Sequence, residues 1–292
     1  MVHKTIRFLS FASNSIYKLR FVQNLLFKHS CKDLVSINGD FNLEVKTGDL
    51  ISNYIYHFNT WEPSITQYIV ESLDDLKGRS FVDIGANLGY FSVLVSKMNP
   101  ESMVYSYEPM PFLYASLKRN IEINKLSNVV AIQSAISDKV GSLEIFEGHP
   151  MNSGNCGVHK VAESKDGIQV KSILLLSQIP KMKYQPRIIK IDTEGSEDSI
   201  LFQLEELIHL LPKDIEFLVE INPHLIGKEK ANDILEQFLG FGFNAYEMKN
   251  SYDVDFYLRP QEFSLRVVDG PLEKQTDVLF TNKTAEFLCR GS

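Results

Sequence analysis

The chain has little of what staples, anchors or decorates a protein. Its three cysteines, Cys31, Cys156 and Cys289, are far apart and have no histidines at ligand spacing, which argues against a disulfide framework and against a zinc site. No apolar run is long enough to span a bilayer, and the N-terminus has no unbroken signal-peptide core. A reducing, cytoplasmic setting is the expectation. Internal repeats, low-complexity tracts and an obvious linker are also missing. Charge is uneven: positions 1–32 hold Lys4, Arg7, Lys18, Arg20, Lys28 and Lys32 and no Asp or Glu. The 292 residues carry 30 Lys/Arg against 37 Asp/Glu, so the remainder holds 24 against 37 and is −13. That acidic body argues against extended contact with nucleic acid, whose binding is dominated by phosphate neutralisation.

What is present is an ordinary globular composition, 44% hydrophobic and 23% charged, enough for one large core and a small extension. In the basic arm Leu19, Val22, Leu25 and Leu26 recur at helical spacing, as a packing helix with solvated lysines or as a membrane-surface contact. The packing reading is favoured. Residues 33–77 mix short alternating pieces (Phe41, Leu43, Val45), an aromatic cluster (Tyr54, Tyr56, Phe58, Trp61) and a helix from Pro63 to Leu76. From Ser80 strands and helices alternate: strand Phe81–Ile84, a helix facing inward with Leu88, Phe91, Leu94, Val95 and Met98, strand Met103–Tyr107, a helix with Leu113, Leu117 and Ile121, and strand Val129–Ile132. Such alternation predicts a parallel sheet covered on both faces. Ser142–Phe146 reads as an added strand and Met151–Gly157 as a turn-rich loop. Strand Ile188–Ile191 precedes a helix marked by Ile200, Leu204, Leu207, Ile208 and Leu211 and ended by Pro212. Strand Ile215–Val219, helix Asn232–Leu239, and antiparallel edge strands at Asn244–Met248 and Asp277–Phe280 complete it. The expected organisation is an extension over 1–77 and one α/β domain over 78–289.

The stretch FVDIGANLGYF, Phe81 to Phe91, places Gly85 and Gly89 in the loop after the first strand, where an open α/β sheet meets its ligand. Glycine lets backbone pass close to a ligand, and the following helix offers free N–H groups. Asp83 is one alternation from Gly85 and near enough to orient the loop or meet a cation. A third glycine of the dinucleotide fingerprint and the GK[ST] of a phosphate loop are both lacking. Glu108 instead ends the second strand, about 20 residues on, where a carboxylate accepts both hydroxyls of an adenosine ribose. S-adenosyl-L-methionine, which needs no pyrophosphate cradle, fits this pattern, with Asp83, Gly85, Ala86, Asn87, Gly89, Glu108 and Asp192 as candidate cofactor residues.

DIGANLGYFS, YEPMPFLYASLKRNIEIN and IKIDTEGSE, in that order between about Trp61 and Glu220, together resemble the FkbM-type methyltransferases. The resemblance implies a class I methyltransferase fold: a Rossmann-like sheet, mostly parallel with antiparallel edge strands, helices on both faces and an N-terminal extension. It also implies O-methylation of a sugar or other natural-product small molecule, with S-adenosyl-L-methionine as donor.

A hydroxyl becomes a good nucleophile only as it loses its proton, so a general base or a metal is needed. Asp192 and Glu194, two residues apart at a strand's carboxyl end, would point to one side if extended. Glu220 and His224 follow the next strand, and His224 titrates near neutrality when unperturbed; a lone loop histidine is more often a surface residue. Asp192, Glu194, Glu220 and His224 are thus the candidate catalytic residues. Glu197 fits better as a carboxylate at the positive end of the following helix. The remaining histidines form no ligand spacing, and no metal is expected. Trp61 with Tyr54 and Tyr56 either stacks on a sugar or packs the extension on the sheet. Two rival classes are an N-methyltransferase of nucleic acid or protein, since NPHL at Asn222 resembles an amino-methylating NPPY, and a non-catalytic cofactor-binding subunit. NPHL lacks the second proline and the aromatic and follows the wrong strand.

Overall fold

The alternation of short apolar runs with amphipathic segments builds the fold. A computed structural model describes residues 32–46, 49–147, 156–158, 167–258 and 264–284. The basic arm's helical pattern and most of the Met151–Gly157 loop lie outside the described residues.

A hairpin comes first, β1 (Lys32–Ile37) and β2 (Phe41–Lys46). Helix α1 (Leu50–Phe58) follows, capped by Asp49, whose carboxylate accepts from Ser52 N at 3.0 Å. Helix α2 (Pro63–Glu71) starts with proline in its first turn, and a separate 3₁₀ turn, Asp74–Leu76, completes the segment expected as one helix to Leu76. Strand β3 (Ser80–Ile84), α3 (Tyr90–Met98), β4 (Met103–Tyr107), α4 (Pro111–Ile123) and β5 (Val129–Ile132) realise the first alternating units. Strands β6 (Ala135–Ile136), β7 (Gly141–Glu147), β8 (Cys156–Gly157) and β9 (Ile168–Ile173) then form a small sheet in the order β6-β9-β7-β8. The strand expected near Ser142 therefore adds to this second sheet and not to the main one. Next come β10 (Pro186–Ile191), α5 (Glu197–Leu201), α6 (Leu204–Ile208), β11 (Glu216–Ile221), α7 (Pro223–Ile226), α8 (Lys228–Gly240), β12 (Asn244–Met248), α9 (Val254–Leu258), β13 (Leu265–Val267) and β14 (Thr276–Thr281). The helix expected to run to Pro212 is broken into α5 and α6 at Phe202-Gln203.

The main sheet has the order β13-β12-β14-β11-β10-β3-β4-β5. Strands β11, β10, β3, β4 and β5 are parallel neighbours. Strand β14 runs antiparallel between β11 and β12, so Asp277–Phe280 is an interior strand and β13 holds the edge. The chain leaves β3 toward β4 and β5, then returns past β3 to β10 and β11, which puts the topological switch between β3 and β10.

Side chains alternate across the sheet. Val82, Ile84, Ile189, Ile191, Phe217 and Val219 pack with α5, α6 and α8 on one face. Phe81, Ile188, Leu218 and Leu279 pack on the other with α3 and with Val35, Leu43, Tyr54, Ile55, Trp61 and Ile69. The described part of the extension thus shares its core with the sheet.

At the amino ends of the strands lies a buried charge group. Arg187 Nη1 is 2.9 Å from Glu216 Oε2, with the two side chains 3% and 1% exposed. Asp75 also pairs with Arg187 at 2.9 Å, and Tyr68 and Thr281 donate hydroxyls to Glu216 at 2.7 and 3.0 Å. Removing one partner leaves a buried charge uncompensated, so Arg187→Met is expected to cost about 3–5 kcal/mol in urea unfolding. A loss below about 1 kcal/mol would show that the network does not tie α2 to the sheet.

Candidate active site

A cavity of about 470 Å³ opens at the carboxyl ends of β3, β4, β10 and β11, around the switch point. Its floor is the β3–α3 loop, Gly85 to Leu88. Gly85 has φ +83°, and a Cβ there would lie 1.7 Å from the Asp192 carbonyl oxygen, so only glycine allows the two loops to pass. Asp192 N donates to Ile84 O at 3.0 Å, which locks them together. Gly89 caps α3 in a left-handed conformation and stands behind the cavity wall.

Glu108 is buried at the end of β4 with one oxygen accepting from Asn87 N at 2.9 Å and the other from Met110 N at 2.8 Å. Burial pushes its pKa up to about 7, against the pull of those two bonds. Beside it Met110, Leu113, Ala135, Ile136 and Ile145 form an apolar strip. The small sheet closes this end, and a Cβ at Gly157 would come within 2.3 Å of the Glu194 carbonyl oxygen.

The other end is acidic. Glu62, Asp192, Glu194 and Glu220 line it, with Asn222, Gln275, Tyr252 and Trp61. Carboxylate oxygens of Asp192, Glu194 and Glu220 lie within 4.8 Å of one another, as do those of Glu62, Glu220 and Asp277. Lys190 is the only Lys or Arg among the described lining residues, 2.6 Å from Asp192 and 3.8 Å from Glu62. Burial raises the pKa of Glu194 to about 8, reinforced by Asp192, and that of Asp277 to about 6. Glu62 and Glu220 are also raised, chiefly by burial.

The route by which Asp192 and Glu194 converge differs from the expectation. Strand β10 ends at Ile191, and Glu194 has φ +53°, so the turn and not an extended pleat carries both carboxylates to one cavity. Of the six non-glycine residues with left-handed φ among the described residues, Glu62, Asn87 and Glu194 line this cavity. For glutamate that conformation is uncommon and costs about 1–3 kcal/mol, a kind of strain that gathers at functional sites.

Glu197 accepts from Thr193 N at 3.1 Å and from Gly195 N at 3.1 Å, holding the turn before α5. Asp83 does not reach the cavity: it is buried beneath the loop and accepts from Ser92 Oγ at 2.5 Å. His224 is exposed in α7, outside the lining, while Asn222 caps that helix by accepting from His224 N at 3.1 Å. Trp61 lies in the core, stacked on Tyr252 at 5.4 Å and edge-on to Tyr54 at 6.0 Å. Tyr54 and Tyr56 do not line the cavity. Sequence reasoning missed Glu62, Lys190, Tyr252, Gln275 and Asp277. A lysine inside the strand IIKI, buried on both faces, was the available signal.

A sheet with parallel β5-β4-β3-β10-β11, a reversed β14 and then β12 running again with the parallel strands, and a cavity at its switch point, defines a class I methyltransferase fold. The family model described as the methyltransferase FkbM domain matches residues 83–245. With more than half of its length matched, the chain belongs to this S-adenosylmethionine-dependent family. It is 28% identical over 137 residues to Methyltransferase 1 of Beauveria bassiana, covering 46% of this chain and 53% of that protein. It is likewise 28% identical over 155 residues to methyltransferase sdnD of Sordaria araneosa, covering 43% and 60%. The chain thus spans a little over half the length of these curated relatives. Among solved structures it is similar to the O-methyltransferase TomG of Streptomyces achromogenes, with TM-score 0.46, 9% identity, and coverage of 78% of this chain and 83% of that one.

The raised carboxyls give the stability a pH dependence. The unfolded chain ionises these groups in the ordinary carboxylate range, whereas the folded chain holds protons on Asp277, Glu108 and Glu194 up to about pH 6, 7 and 8. Stability present at low pH is therefore lost as pH rises through this window. Asp75 and Asp214 are lowered and titrate below it. Urea midpoints of the ligand-free protein should fall between pH 5 and about 8.5, and Glu194→Gln should flatten the upper part of that fall. A midpoint that climbs across the window would contradict the assignment.

Proposed function

We propose that this chain transfers a methyl group from S-adenosyl-L-methionine to a hydroxyl of a sugar or glycosylated natural product. One observation carries the reading: a single switch-point cavity joins the Glu108 end, suited to an adenosine, to a carboxylate-rich end suited to hydroxyls.

The residues present fit the cofactor. Each Glu108 oxygen accepts one backbone N–H, which leaves lone pairs free for two ribose hydroxyls. The strip of Met110, Leu113, Ala135 and Ile136 suits a flat base, and backbone at Gly85, Ala86 and Asn87 lies against the same space. Asp192, at the junction of the two ends, would balance positive charge on the cofactor. Asp83 and Gly89 support the loop from behind. Among the described residues a pyrophosphate finds no cradle, because the one lining cation there, Lys190, is engaged by carboxylates.

When bound, the cofactor supplies a methyl group on a positively charged sulfur. The chain's own work is alignment and proton removal, since holding the acceptor oxygen in line supplies much of the rate. A Glu194 oxygen accepts the hydroxyl proton. Its pKa of about 8 suits a base working just above neutrality. Glu220, held by the Gln275 amide, and Glu62 accept hydrogen bonds from further hydroxyls of the acceptor. Trp61 and Tyr252, stacked on each other, supply apolar wall at the acceptor's end of the cavity.

Calorimetry should show binding of S-adenosylmethionine and of S-adenosylhomocysteine but not of NAD or ATP, with Glu108→Ala weakening both by about 1.5–3 kcal/mol. Binding of NAD in place of the methyl donor would sink the reading. The labelled donor with a panel of methyl glycosides of neutral hexoses and deoxyhexoses tests the acceptor class. Glu194→Gln should slow that transfer by about 10²- to 10⁴-fold with cofactor affinity nearly intact. A fully active variant would pass the base role to Glu220, the neighbouring carboxylate in the cavity.

A further inference from the structure

Lys190 is a lysine where the strand pattern expects a hydrophobe. It lies in β10, between β3 and β11, with Asp83 opposite it on β3 and Leu218 on β11. Its side chain is 5% exposed and its ammonium rests 4.9 Å over the Phe91 ring. The alternation that buries Ile188 on the face of α2 and α3 also directs Lys190 there, toward Glu62 at the head of α2. Asp192, two residues along the same chain, turns back to it at 2.6 Å. Burial alone would strip the proton from such a group, but Asp192, Glu62 and Asp83 outweigh it and hold the ammonium charged.

Two trios of carboxylates, Glu62 with Glu220 and Asp277, and Asp192 with Glu194 and Glu220, have oxygens close enough to share a cation. The ammonium contacts one member of each. Among the described residues Glu62 Oε2 has no hydrogen-bond donor, and this ion pair is its compensation. A second positive charge would have to displace the first. We infer that Lys190 is a positioning residue of the reaction, a resident cation that occupies the place a divalent metal would take and holds Asp192 and Glu62 aimed into the cavity.

The inference rests on the proposed methyl transfer for its catalytic meaning, but it can be read without turnover. Manganese(II) alone is titrated into the protein and followed by electron paramagnetic resonance and calorimetry. The wild type should show no site tighter than about 1 mM, the weak end for carboxylate cation sites. Lys190→Ala should gain one at least about tenfold tighter, and Lys190→Arg, which keeps the charge, should not. Single-turnover transfer to the glycoside panel should fall about 10²-fold in Lys190→Ala, as for a misplaced reacting group, with S-adenosylhomocysteine affinity within about threefold. Manganese binding by the wild type as tight as by the variant overturns the inference. So does a Lys190→Ala protein with normal turnover, or one that loses turnover but gains no metal site. If Lys190→Ala does not fold, Lys190→Met, which keeps the apolar stem and removes the charge, replaces it in both measurements with the same outcomes. Failure of the wild type to bind S-adenosylmethionine would remove the proposed function and leave the manganese contrast standing as a test of Lys190.

Discussion

Desolvated carboxylates crowd around one ammonium, and the rest of this structure is organised to hold them there. Glu62, Asp83, Asp192, Glu194, Glu220 and Asp277 approach a single centre from α2, β3, the β10 turn, β11 and β14. Like charges placed together in a protein interior repel, and their burial disfavours ionisation. Glu220 and Asp277 even sit opposite each other in the antiparallel register of β11 and β14. A fold would not retain this arrangement for stability, because apolar residues of similar size would pack better. On the proposed function, the acids serve to face a cationic cofactor and to exchange hydrogen bonds with a hydroxylated acceptor.

The two ends of the sheet divide the labour. At the amino ends Arg187 and Glu216 are matched, with Asp75, Tyr68, Thr281 and Lys283 completing their contacts. Charge there is balanced and fixes α2 to β10, β11 and β14. At the carboxyl ends charge is unbalanced and the backbone is strained at Glu62 and Glu194. The same strands that are satisfied at one end thus present an unsatisfied surface at the other, where the chain reverses direction across β3 and β10. The small sheet inserted between β5 and β10 gives this surface a roof with Leu143, Ile145, Cys156 and Gly157.

The parts of the fold governed by local pattern were legible in the sequence. Strands Met103–Tyr107, Val129–Ile132 and Asn244–Met248 have the bounds their apolar runs indicate. Strand β9 escaped notice because Gln169 and Lys171 face solvent and leave only a thin alternation of Ile168, Val170 and Ser172. Spatial order was less accessible: nothing local in Thr276–Thr281 says that a late strand slips between two earlier ones. At the site, Glu108, Asp192 and Glu194 could be picked out because they follow strands at the expected edge. Glu62 could not, since its burial is created by tertiary packing of α2 against β10, far along the chain. Lys190 could have been, had its place in a doubly covered strand been taken as a signal and not as one more charge.

The central claim is that the switch-point cavity holds an adenosyl cofactor on Glu108 and leaves the acidic end for the acceptor. A crystal structure of the complex with S-adenosylhomocysteine tests it most directly. The account predicts the ribose hydroxyls within hydrogen-bond distance of Glu108, the base against Met110 and Ala135, and the sulfur turned toward Asp192 and Glu194. A nucleoside bound elsewhere, or with its ribose away from Glu108, would contradict it.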